Sequence, residues 1–309
     1  MTVVLEAEAA ARLKTAPVEV VGRFADASNA TLLVRLTDRD PRPLAALSEE
    51  LGRDPELADL DPEDLAVYKP ERGERPLWDF PTGTLHRREV AAYELSVALG
   101  WEQVPATVLR TDAPFGRGSL QRYVAHDLEA HHFTLWETGL ARIRAQLAAM
   151  VVFDALCNNA DRKAGHVLYA PREAVVPALR RAVPAARPSP DGGSASAGAA
   201  GAEVAPAGEG PPGGSAPGRV WLVDHGVTFH VEPKLRTVAW ELAGEEVPAV
   251  LLADLDRVRE GLAGELGARL RTLVSDAEVA ALEQRAVSLL AAGRFPFPES
   301  PNPYPWPLL

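Results

Sequence analysis

Four charged residues in this sequence, each at the edge of a different kind of element, could do chemistry together. Lys69 closes the strand-like run Leu65-Ala66-Val67-Tyr68-Lys69-Pro70, which proline halts. Glu89 lies early in an apolar-periodic segment over 84–100 that reads as a helix, with Thr84 as candidate cap and Gly100 as stop. Asp161 sits in the polar stretch Asn158-Asn159-Ala160-Asp161-Arg162-Lys163-Ala164-Gly165-His166, between an apolar helical run ending at Cys157 and the strand-like Val167-Leu168-Tyr169. Asp224 ends the buried-strand run Trp221-Leu222-Val223 and precedes His225-Gly226. A strand-end lysine is a compact point charge for phosphate, and a glutamate beside it orients it and keeps it charged. Phosphoryl transfer needs that cation, a carboxylate near the accepting hydroxyl and a carboxylate for a metal ion. Each residue also has a plainer reading. Lys69 can face solvent, Glu89 can serve the helix dipole, and Asp161-Arg162 can be a capped turn with a local ion pair.

The elements that must hold these residues can be read in order. Residues 2–13 form a short helix or a loosely attached arm, and 18–24 and 31–36 are strands. The connection between those strands, Ala25-Asp26-Ala27-Ser28-Asn29-Ala30, could lie over phosphates, although it lacks the glycines that ease this. A short helix covers 43–51. The loop 71–83 is anchored by Trp78 and Phe80. Strands over 104–110 and 119–124 flank a turn at 112–118. Character changes from β-rich to helical near 125, and a long helix over 137–158 delivers the chain to the Asp161 loop. Helices over 246–262 and 276–292 follow, then a proline-alternating tail that packs as an extended strap or serves as a docking segment. The expected division is an N-terminal nucleotide-binding lobe at 15–124 and a catalytic lobe at 125–294. Within the second lobe, 183–218 is an Ala/Gly/Pro/Ser-rich insertion too poor in apolar residues to fold. The tail is 295–309.

Bulk properties narrow the function. The 309 residues are 47% hydrophobic, enough for a sizeable core. A net charge of −11 without a Lys/Arg-rich run argues against nucleic acid as partner. The single cysteine, Cys157, allows no intrachain disulfide and reads as a buried helix residue. With an N-terminus unlike a signal peptide, this fits a cytoplasmic protein. No apolar run approaches the roughly 18 residues of a transmembrane segment. The spacing of His166, His225 and His230 matches no structural zinc pattern.

Asn159 to Leu168 resembles the Asp-Arg-x-x-x-Asn catalytic loop of the phosphatidylinositol 3- and 4-kinase-like superfamily. Val223-Asp224-His225-Gly226-Val227-Thr228-Phe229 is similar to the Ile-Asp-Asn-Gly-Leu-x-Phe of type II phosphatidylinositol 4-kinases. HipA-type toxin kinases and secretory-pathway kinases share that skeleton, and over about 15–294 the chain resembles an actinobacterial phosphatidylinositol-kinase-like group. The resemblance implies an α+β, two-lobed protein-kinase-like fold, with a β-rich N-lobe and a mainly helical C-lobe. It implies an ATP-dependent kinase using Mg2+, with Mn2+ as the alternative ion. Lys69, paired with Glu89, would contact the nucleotide phosphates, with Ser28 in the covering hairpin. Gln121, Arg122 and Tyr123 would form the adenine hinge. Asp161, with Arg162 beside it, would be catalytic, and Asp224 would chelate the metal. Where the superfamily has asparagine as second metal ligand, this chain has His166, a ligand better suited to Mn2+ or Zn2+ than to Mg2+. The acceptor, small molecule or protein, would carry a hydroxyl, and Lys234 and Arg236 could receive it if anionic. The alternatives are a nucleotide-binding pseudokinase scaffold and an AMP transferase on the same fold.

Overall fold

The computed structural model describes residues 2–24, 27, 29–171 and 218–309. Apart from Gly218, the expected insertion lies outside the described residues, as does Ser28. The architecture is two-lobed and α+β, as expected.

The first lobe is an antiparallel five-stranded sheet in the order β1-β2-β3-β5-β4. Its strands are β1 (Val18–Arg23), β2 (Leu32–Leu36), β3 (Leu65–Pro70), β4 (Thr107–Ala113) and β5 (Gly116–Arg122). β3 lies in the middle, paired with β2 on one side and β5 on the other. Its alternation sets the chemistry. Ala66 and Tyr68 are buried in the core, while Val67 and Lys69 share the opposite face. Lys69 lies opposite Ser119. Next to that pair, a Cβ on Gly118 would sit 2.5 Å from the Lys69 carbonyl oxygen and 2.6 Å from the Tyr68 ring, so only glycine lets the strands approach there. The turn between β4 and β5 is tighter than expected, because both strands extend to leave only Pro114-Phe115.

Helix α1 (Thr2–Thr15) is not a loose arm. Its Glu6 accepts from the Ala106 N–H (2.7 Å) and pairs with Arg122 (2.8 Å), and Leu13 is buried against the sheet. Helix α2 (Leu44–Leu51) lies at the periphery with no buried residue. Helix α3 (Leu85–Leu99) packs on the sheet through Val90, Ala91, Ala92, Leu95 and Leu99. Thr84 does not cap it, because its hydroxyl donates to the Pro81 carbonyl (2.6 Å). Glu74 caps it from the preceding loop, accepting from the N–H groups of Leu85 (3.2 Å) and His86 (2.8 Å).

The second lobe is built around α5 (Ala141–Cys157), whose last eleven residues are all buried. The single helix expected over 137–158 is divided. A left-handed Gly139 (φ 65°) separates α5 from the short α4 (His132–Glu137). A hairpin, β6 (Val167–Ala170) with β7 (Arg219–Leu222), and the helices α6 (Ala249–Gly261), α7 (Glu265–Arg271) and α8 (Asp276–Ala292) complete the lobe. Sequence reading does not find α7. No helix among the described residues is long and apolar enough to cross a membrane.

Candidate active site

Lys69 ties the lobes together. From the cleft face of β3 its ammonium donates to Glu89 Oε1 on α3 and to Asp224 Oδ1 at 2.8 Å. Glu89 Oε2 accepts the His225 N–H (3.0 Å), so the glutamate grips both the strand lysine and the segment after Asp224. Burial pulls the Lys69 ammonium down, but Asp224 and Glu89 more than offset this and hold it above its ordinary value, charged. Burial works to raise Asp224, yet Lys69 and then His166 keep it well below the usual carboxylate range. Burial pushes Glu89 up against the pull of Lys69. One ammonium between two carboxylates leaves excess negative charge on the half-exposed Asp224, where a further cation is favoured.

Asp224 follows the end of β7 with φ 61°, a left-handed conformation that costs a non-glycine residue roughly 1–3 kcal/mol and gathers at functional sites. The sharp turn sets its carboxylate beside Lys69. At the end of α5, Asn158 is left-handed too (φ 55°) and closes the helix. Its amide donates to the His230 and Glu232 carbonyls (2.9 and 2.7 Å), and its oxygen accepts the Lys234 N–H (2.8 Å).

Arg162 does not face the cleft. It is completely buried and clamps Asp154 of α5 with two hydrogen bonds, at 2.8 and 3.0 Å. It also donates to the Val223 carbonyl (2.8 Å) and to His225 Nε2 (2.8 Å), so His225 carries its proton on Nδ1. Burial holds His225 well below its ordinary pKa, in the neutral form. Asn159 completes the anchor. It donates to Asp154 (3.0 Å) and accepts the Asp161 N–H (3.0 Å). The guanidinium of Arg162, expected beside the catalytic aspartate, is thus held by buried Asp154. The Asp161 carboxylate lies free of that clamp, 3.3 Å from Lys163 Nζ, and burial pushes it up to about 6. A carboxylate with that value suits general base catalysis near neutral pH.

His166 spans the two aspartates. Its Nδ1–H donates to the Asp161 carbonyl (3.1 Å), which leaves Nε2 as a lone pair 3.4 Å from Asp224 Oδ2. Burial pulls the imidazole down to about 4, so it is neutral at physiological pH. Two acceptors facing each other are satisfied by a cation between them. Asp224 and His166 thus fit a divalent ion whose other ligands come from elsewhere. Among the described residues no group of three or more His, Cys, Asp or Glu is arranged to hold a metal ion.

Lys69, Glu89, Lys163, His166 and Asp224 line a cleft of about 500 Å³ between the lobes, bounded also by Phe24, Val67, Leu168, Gln121, Arg122 and Tyr123. The Gln121 side chain is turned into the sheet, donating to Thr107 Oγ1 (2.8 Å), and Arg122 stacks on Trp221. Trp78 is 92% exposed and is no anchor, whereas Phe80 is buried against His230 and Arg88. Lys234 lies over Trp78 and pairs with Asp79 (2.9 Å), so it is not a free cation for an acceptor. Sequence reasoning missed Asp154, Glu74 and Lys163 as site residues. An aspartate inside the otherwise apolar run 147–157 was the available signal for the first.

Protein Rv2133c of Mycobacterium tuberculosis (strain ATCC 25618 / H37Rv) is 32% identical over 323 residues, an alignment covering 93% of this chain and 91% of that protein. The chain belongs to the Rv2133c family. No protein-family model matches it. Among solved structures it is similar to the Golgi casein kinase with Mn/ADP bound, at 11% identity and TM-score 0.47 over 96% of this chain and 80% of that one. A second structure of the Golgi casein kinase gives 10% identity and TM-score 0.40 over 93% and 75%. The phosphatidylinositol 3-/4-kinase-like resemblance rests on the two aspartate motifs.

Proposed function

We propose that the protein is an ATP-dependent phosphotransferase with a protein-kinase-like, phosphatidylinositol 3-/4-kinase-like site, which moves the γ-phosphoryl group to a hydroxyl acceptor. One observation carries this reading. The Lys69 ammonium, at an interlobe cleft, is joined at once to a helix glutamate and to the aspartate of the Val223–Phe229 motif. Lys69 then neutralises the α- and β-phosphates, and Glu89 fixes its position. Asp161 takes the proton of the accepting hydroxyl as the new O–P bond forms and ADP leaves with the electron pair of the broken bond. Asp224 and His166 would hold the divalent ion, which neutralises phosphate charge when bound. Gln121, Arg122 and Tyr123 shape the adenine end. The acidic chain with a single buried cysteine suits a cytoplasmic setting.

The test is incubation with γ-labelled and α-labelled ATP in Mg2+ or Mn2+. Transfer of the γ label supports the kinase. Transfer of the α label shows AMP transfer, and no transfer with a nucleotide-dependent melting shift shows a pseudokinase. A melting curve unmoved by nucleotide contradicts all three.

A further inference from the structure

Two main-chain donors at the edge of the Asp161 loop are taken up by the chain's own C-terminal segment. The Ala164 N–H donates to the Leu308 carbonyl (2.8 Å). The Thr237 N–H donates to the Pro303 carbonyl (3.0 Å), which also accepts from Trp240 Nε1 (3.2 Å). These two donor segments are themselves joined. Arg162 and Thr237 form a parallel bridge, in which the Arg162 N–H donates to the Arg236 carbonyl and the Val238 N–H to the Arg162 carbonyl. The 303–309 segment thus runs along an edge that begins three residues after Asp161.

How the segment is held indicates what the edge accepts. Among its side chains Pro305 is buried, whereas Tyr304, Trp306, Leu308 and Leu309 are exposed, Trp306 by 88%. The grip falls on carbonyl groups, which any polypeptide carries, and not on these side chains. Prolines at 301, 303, 305 and 307 restrict the free segment's conformations, so that it loses little entropy on docking. Docking through main-chain hydrogen bonds along an edge is a recurrent way of binding extended peptides.

We propose that this edge is a binding surface for an extended polypeptide, occupied here by 303–309. The acceptor is then a hydroxyl-bearing protein segment that enters by displacing the strap. The acceptor half rests on the phosphotransferase reading; the polypeptide half does not.

The full-length chain tests both halves. A fluorescein-labelled peptide copy of 300–309 is titrated by anisotropy into the wild type and into Pro305→Asp, which weakens the strap without touching the edge. Ala164→Pro in that background removes the donor. Ala164 opens a 3-10 turn, where proline is tolerated, and Lys163 before it is already extended (ψ 159°). Tighter peptide binding in Pro305→Asp, weakened on the order of fivefold by Ala164→Pro, is the expected result. No peptide binding by either folded variant, or binding indifferent to Ala164→Pro, overturns the surface. Transfer of γ label to dephosphorylated casein should rise in Pro305→Asp; γ label passing only to small hydroxyl compounds overturns the acceptor half. Peptide binding without label transfer to any acceptor contradicts the phosphotransferase reading and leaves the surface standing.

Discussion

Lys69 and Asp224, 155 positions apart in sequence, meet in a 2.8 Å ion pair that joins the middle strand of the first lobe to the turn after β7 in the second. The pair makes the lobe arrangement and the site one structure. Anything that removes the ammonium loosens the lobes and the cleft together.

Lys69→Met should therefore cost about 2–4 kcal/mol in urea unfolding, because buried Glu89 is left without its counter-charge, with a smaller share from half-exposed Asp224. It should also abolish the nucleotide-dependent melting shift. Lys69→Arg should not restore that shift, since the planar guanidinium cannot replace a point charge between two carboxylates.

The Asp161 carboxyl, pushed up to about 6 from its usual 3.8, links pH to both stability and rate. A raised folded-state value means the folded form holds the proton more tightly. Its contribution to stability is fully present below about 3.8 and is lost as pH rises through about 6. Asp161→Asn should then stabilise the protein at pH 8 by about 1–3 kcal/mol in denaturant titrations, and should have little effect at pH 3.5. Transfer by the wild type should rise about tenfold per unit below pH 6 and level off above it.

Arg162→Met should destabilise by about 3–5 kcal/mol, because it strands Asp154 as a buried charge inside α5. The double variant Arg162→Met/Asp154→Leu should recover most of that loss in equilibrium unfolding. Its transfer activity should stay low, since the Asp161 loop loses the clamp that sets its shape.

His166→Asn exchanges an imidazole for an oxygen ligand beside Asp224. It should move the divalent-ion preference from Mn2+ towards Mg2+. Melting shifts with ADP plus either ion measure this without turnover, and the ratio of the Mn2+ shift to the Mg2+ shift should fall.

Much of the site's frame is legible locally. Lys69 before Pro70, Glu89 in an apolar-periodic helix and Asp224 after an apolar strand are patterns of neighbouring residues. What local pattern cannot show is who claims a side chain. Arg162 reads as a partner of Asp161 until the fold brings up Asp154, eight residues earlier on a buried helix. Thr84 looks like a cap until Glu74 folds back over the α3 N-terminus. Trp78 looks like an anchor because tryptophan is apolar, yet of the two expected anchors the fold buries only Phe80. The strap's hold on Ala164 joins residues far apart in sequence through main-chain atoms, which no residue type reveals.

The central claim, phosphoryl transfer with Asp161 as base, is tested most directly by γ-labelled ATP turnover in the wild type and Asp161→Asn at matched nucleotide saturation. The wild type should transfer label to an acceptor, and Asp161→Asn should bind ATP equally well and transfer none. Equal transfer by the two proteins would contradict the account.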